Sequence, residues 1–404
     1  MLAAAGVVAV IWIAPRFGRH EVSPAGPVSL PDRWIAVYGA ITHDLTLVRD
    51  PMRYRARSPV TRAAACVALP QWALQVGTRD DDQVMLDPKE PAVLLLSHDF
   101  LRRVAAGAEP CTAGDSSPVR RFPLHSGKVP YRGIIADGRL LISFFGDNLI
   151  EEYTVAPGHD EGAANVMFVR DIHFDAHENL GLSDLMIIGQ RLVVAASGFF
   201  CFARDCPRGH FHDGHLYSVP LRNVRWPFLD AKPSNVNASG LYRHPSGDVW
   251  LLNAGDYSGG YGSIQQIRDV DPPTLDAEVR LPRNAAPGSA YPLDADHFVV
   301  LQFSGEHLFV FDARDGRLDK ILRFDGAGFS EIARDIAALP DRASSDFQYV
   351  LAIPDRAGDA YFVDSKREQL LGVHSEAGKL TVTATIPVGG SGPARRSPSW
   401  AFWL

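Results

Sequence analysis

Between Cys201 and His215 the chain reads CFARDCPRGHFHDGH, which holds two of its four cysteines and three of its fourteen histidines. Neutral imidazoles ligate zinc and copper well, so His210, His212 and His215 form a candidate mononuclear metal set. In an extended loop the H-x-H spacing puts His210 and His212 on one side. The competing readings are that these histidines hydrogen-bond loop carbonyls, or that one is a general base toward a bound substrate. The cysteines read as a disulfide between Cys201 and Cys206, because they are close neighbours in a Gly- and Pro-containing stretch. Cys66 and Cys111 are then the remaining pair, one of three connectivities that four cysteines allow.

Little other chemistry is written into the chain. No G-x-S-x-G elbow is present. GVHSEAGKL lacks the spacing and the hydroxyl of a phosphate loop and reads as a hairpin tip. Asn237 opens an N-A-S sequon. The formal net charge is −7, and no run of Lys or Arg supplies the cationic surface that nucleic acid requires, so nucleic-acid binding is excluded.

The N-terminal stretch from Leu2 to Ala14 is apolar and ends at Pro15, followed by Arg16 and Arg19. It is short for a membrane span and suits a signal h-region, though it lacks a basic start and a clear cleavage site. Membrane anchor, cleaved signal and buried segment all remain open. The first two place the body of the chain on the periplasmic or extracellular side of a membrane, anchored or secreted. Even cysteine usage agrees with an oxidising compartment. The organisation expected is an anchor or signal over 1–20, a linker over 21–32 and one domain over 33–404.

That domain repeats. Continuous apolar runs begin at Arg33 (RWIAVYGA), Pro91 (PAVLLLSHD), Arg139 (RLLISFFGD), Arg191 (RLVVAASG), Asp248 (DVWLLNAGD), Asp296 (DHFVVLQFSG) and Tyr349 (YVLAIPDRAGD). Roughly fifty residues separate successive starts, the period of four-stranded propeller blades. Each run reads as a buried second strand. An alternating strand follows most of them, as in NLIEEYTV and GHLYSVPL, and a short strand ending in a turn precedes many, as in YRGIIADG. Helical periodicity is nearly absent; GFSEIARDIAAL is the one candidate turn of helix. The expected fold is all-β: a single propeller of seven four-stranded blades, with an N-terminal apolar segment. SPSWAFWL is an inner strand without successors, and RWIAVYGA with DLTLVRD are second and third strands without a predecessor. The two ends together complete one blade, which leaves the ring no free edge there.

TATIPVGGSGPARRSPSWAFWL and GRLLISFFGDNLIEEYTV resemble the repeat of the YVTN/lactonase-like seven-bladed propellers, and the resemblance runs from about Arg33 to Leu404. It implies the fold more than a function, because such propellers host enzymes, sensors and scaffolds. Propeller lactonases hold a metal through acidic and Asn side chains at the channel mouth. The resemblance therefore adds Glu178, Asp184, Asn253 and Asp256 as an alternative metal set. Propeller topology sends the loops between second and third strands, and the connections between blades, to the same face. That face is expected to gather His173 and His177 with the Cys201–His215 loop, together with the aromatic residues Phe199, Phe200, Phe211, Tyr257 and Tyr261 as interface anchors. The function expected is an exported, membrane-tethered binding or scaffold module for a protein partner, as an accessory subunit of a membrane complex. The alternative is a metal-dependent lactonase-type hydrolase. No resident cofactor is expected in the first case; a divalent Zn, Cu or Ca belongs to the second.

Overall fold

The computed structural model describes residues 33–40, 43–50, 61–112, 118–156, 166–199, 211–256, 260–283, 285–302, 307–325, 328–339, 349–354, 358–376, 379–388 and 398–404. The segments expected over 1–20 and 21–32 lie outside them. The domain from Arg33 to Leu404 is a propeller of seven antiparallel sheets. Five sheets have four strands and two have five: in blade five Pro273–Leu275 and Val279–Arg283 both pair with the third strand, and blade six gains Phe329–Ala333 outside its fourth.

The continuous apolar runs have a direct physical cause. A blade is covered on both faces by its neighbours, so alternate residues of its second strand serve two different interfaces. In blade one (Trp34–Gly39) Trp34, Ala36 and Tyr38 pack toward blade two, and Ile35 and Val37 toward blade seven. The same sorting recurs around the ring and produces seven apolar clusters, one between each adjacent pair of blades.

Blade one joins the two ends of the domain, as the sequence implied. Its inner strand, Pro398–Trp403, pairs antiparallel with Trp34–Gly39, with Ile35 opposite Trp403 and Tyr38 opposite Trp400. The Trp400 indole stacks on Tyr38 at 4.5 Å and donates to the Ala73 carbonyl at 2.8 Å, which ties the closing strand to blade two.

Two of the seven runs take other places than expected. The run at Pro91 is the third strand of blade two (Ala92–Ser97); its second strand is Asp82–Asp87. The run at Tyr349 is the inner strand of blade seven (Tyr349–Pro354), and Asp359–Asp364 is the second. Second and third strands are both buried on two faces, so an apolar run alone does not separate them. After Ala92–Ser97 the chain forms a helix, α1 (His98–Ala106), which the sequence reading passed over. Its local signals are ordinary ones: the Ser97 hydroxyl accepts from the Phe100 N–H, and Gly107 closes the helix in the left-handed region. Leu101, Val104 and Ala105 pack into the cluster between blades one and two. GFSEIARDIAAL divides into the strand Phe329–Ala333 and a 3-10 turn at Ile336–Ala338 capped by Asp335. Among the described residues no helix is long and apolar enough to cross a membrane.

Candidate functional site

The seven inner strands line a central cavity of about 780 Å³ that opens to solvent. Its wall is more apolar than polar, with Leu74, Val76, Ile134, Leu185, Leu241 and Ile353 contributing from blades two, three, four, five and seven. In every blade but the third the inner strand carries one extra residue opposite the second strand: Ser399, Val76, Ser183, Ser239, Gly288 and Val350 in blades one, two, four, five, six and seven. Such bulges re-aim the residues beside them. Two of them also brace the ring. Ser183 Oγ donates to the Ala238 carbonyl of the next blade, and Ser239 Oγ reaches the Pro287 carbonyl at 3.4 Å.

Beside the Ser183 bulge stands Asp184, the sole anion among the described lining residues. Facing it is Arg132, the sole cation, at the start of blade three's inner strand (Arg132–Ala136). Arg132 Nε donates to Asp184 Oδ1 at 3.2 Å. The same oxygen accepts from the Leu185 N–H at 3.0 Å, and Oδ2 accepts from the Leu241 N–H at 2.7 Å. Asp184 thus joins blades three, four and five, and its charge is met by a cation and two backbone donors, as enclosure demands. The Asp184 carboxylate raises the Arg132 pKa above its ordinary value against the opposing effect of burial, so the guanidinium stays charged. Arg132 is surrounded by the ring, yet 45% of its side chain is accessible, from the lumen. Its two η nitrogens have no partner among the described residues. Trp72 lines the same cavity from the connection into blade two; it is 54% exposed and held at φ 62°.

The candidates from the sequence fall elsewhere, apart from Asp184. Cys201, Cys206, Phe200, His210 and Tyr257 lie outside the described residues. The two limbs of the Cys201–His215 loop do stand on the face of the blade-three to blade-four connection, since the Gly198 N–H donates to the Leu180 carbonyl at 2.9 Å and the His212 N–H to the Gly198 carbonyl. Phe199 and Phe211 form an isolated bridge and meet edge-on at 5.7 Å. They are 7% and 6% exposed, so they pack the base of the loop and present no anchor to solvent. Phe199 continues an aromatic row through Phe145 to Tyr131.

His212 is fixed through its backbone, whose N–H donates to the Gly198 carbonyl. His215 Nδ1 sits 3.0 Å from Asp230 and its ring stacks on Tyr217. His173 ends the outer strand of blade three with Nε2 3.8 Å from Asp171, and His177 is exposed in the connection beyond it. Tyr261 donates to Glu278 at 3.3 Å beneath the Arg280 guanidinium.

The alternative metal set is dispersed. Glu178 is exposed. Asn253 is fully buried on Ser263 and Gln265. Asp256 sits at a loop turn, where its carbonyl accepts from Gly260. Among the described residues no three His, Cys, Asp or Glu side chains converge in a way that could hold a metal ion. The Asn237 sequon is a structural position: its side chain is buried and donates to the Gly255 carbonyl at 3.0 Å. Cys66 and Cys111 form the disulfide left over from the sequence argument.

Arg132 and Trp72 were not singled out by sequence reasoning, although YRGIIADG was recognised as an inner strand. The available signal was a charged residue heading a strand that must face the ring axis.

By architecture the domain is a seven-bladed β-propeller. No family model matches the chain, and no curated protein sequence matches it. Among solved structures it is similar to a protein from Lactobacillus plantarum, with a TM-score of 0.60 and 12% identity over 93% of this chain and 100% of that one. A candidate 6-phosphogluconolactonase from Bacteroides uniformis gives 0.57 and 9% over 93% and 100%. Another from Bacteroides fragilis gives 0.55 and 12% over 94% and 100%. At these identities the likeness is one of fold.

Proposed function

We propose that this protein is a ligand-binding propeller whose site is the central cavity. One observation carries the reading: a permanently charged guanidinium, its two η nitrogens without a partner among the described residues, stands inside a cavity of about 780 Å³ whose wall is more apolar than polar. Small-molecule sites have this composition, with apolar walls for affinity and a few placed polar groups for orientation. A scaffold role on the loop face has less support, because Phe199 and Phe211 are buried and the loop between them lies outside the described residues. Lactonase chemistry in the cavity would need a base. Asp184, the carboxylate on its wall, already accepts three hydrogen bonds. An exported location is part of the proposal; the Cys66–Cys111 disulfide supports it, since such bonds persist in oxidising compartments.

The test uses two fluorescent probes of one shape, the anionic 8-anilinonaphthalene-1-sulfonate and the neutral N-phenyl-1-naphthylamine. At least one is expected to bind saturably at one site per chain. Ser289→Trp, which places an indole in the lumen, is expected to abolish that binding with the thermal midpoint retained. Absence of saturable binding by both probes, or binding indifferent to Ser289→Trp, sinks the reading.

A further inference from the structure

We infer that the cavity takes an apolar or aromatic monocarboxylate, with the carboxylate on the η nitrogens of Arg132 and the carbon body against Trp72 and the aliphatic wall. This rests on the cavity being the binding site. Three features of the site lead to it.

The first is the hydrogen-bonding state of Arg132. A guanidinium offers five N–H donors in a fixed plane. Asp184 engages Nε, and the donors on both η nitrogens remain without a partner among the described residues. Such donors, set in a fixed plane, favour an acceptor that meets them in pairs, and a carboxylate does so. Asp184 is thereby a positioning residue. It is itself fixed by the Leu185 and Leu241 N–H groups, so it holds the guanidinium without competing for its outer nitrogens.

The second is charge. Arg132 and Asp184 cancel, and the described lining residues include no further cation. A carboxylate leaves the site with one net negative charge. A phosphate monoester dianion would leave two, with one guanidinium to answer both it and Asp184. Of the two anions, the balance therefore favours the monoanion.

The third is the surroundings. The inner strands of blades two and three pack closely at Gly133, where a Cβ would lie 2.9 Å from Val76 Cγ2. Trp72 precedes the first of these strands and Arg132 heads the second, so an indole face and a guanidinium enter the cavity from adjacent blades. An indole of that exposure offers a flat apolar platform, and a planar body stacked on it carries its carboxylate to the neighbouring blade.

Isothermal titration with cinnamate, cinnamamide and phenyl phosphate tests the inference. Cinnamate is expected to bind at least tenfold more tightly than its uncharged amide and more tightly than phenyl phosphate. Arg132→Met should weaken cinnamate at least tenfold and leave cinnamamide within about twofold, a split that a purely structural role for Arg132 would not give. Arg132→Lys keeps the charge without the fork and should fall between, which also guards against misfolding of the methionine variant. Equal binding of acid and amide, tighter binding of phenyl phosphate, or an unchanged acid-to-amide ratio in Arg132→Met overturns the monocarboxylate. Failure of all three compounds together with both naphthalene probes would overturn the cavity itself.

Discussion

His98 opens α1 and is 4% exposed, and burial lowers its pKa to about 4 against the pull of Asp81. In the unfolded chain the same imidazole titrates near 6.5. Between these values the unfolded state binds the extra proton, so stability is full above about pH 6.5 and declines as pH falls toward 4. The integrated loss is roughly 2–3 kcal/mol after allowing for partial solvent screening. Urea unfolding at pH 7 and pH 4.5 should therefore show a steeper decline for the wild type than for His98→Phe. Parallel declines would show that His98 is not the group responsible. The residue scale was also where the sequence was least legible. Asp184 could be nominated as an acidic residue near an inner strand. Its partner Arg132 lies fifty-two residues away, and only the packing of blade three against blade four brings the two together.

At the scale of elements, legibility follows burial. Strands covered on both faces announce themselves as unbroken apolar runs, and five of the seven runs fell on true second strands, as at Arg139–Phe144. Confusion arose where two such strands stand side by side, Asp82–Asp87 and Ala92–Ser97, because period and composition agree in both. The bulges on the inner strands were hidden for a different reason. Each is defined by register against a partner strand, and a single run of residues carries no register. The long loop of blade four depends on a tight base. Gly198 has φ +70°, and a Cβ there would lie 2.5 Å from the Asp213 carbonyl oxygen and 2.7 Å from that of His212. Gly198→Ala is expected to cost about 2 kcal/mol or more, through left-handed strain and displacement of the returning limb. Chemical denaturation would measure it, and a loss below about 0.5 kcal/mol would show that the base is free to rearrange.

At the scale of the whole molecule, the ring is held by its seam. Trp400 is 5% exposed, stacked on Tyr38 and bonded to Ala73, so Trp400→Ala is expected to cost about 3–5 kcal/mol in equilibrium unfolding. A loss under 1 kcal/mol would mean that the closing strand contributes little. The closing pair, Ile35 with Trp403, spans about 370 residues of sequence. During synthesis at about 5–20 residues per second, the second strand of blade one leaves the ribosome on the order of 20–70 seconds before its inner partner exists. For that interval the nascent chain carries an open sheet edge lined with Trp34, Ile35, Val37 and Tyr38. The propeller reaches its native state through a waiting period in which that edge must be shielded from every neighbour except the last strand to be made.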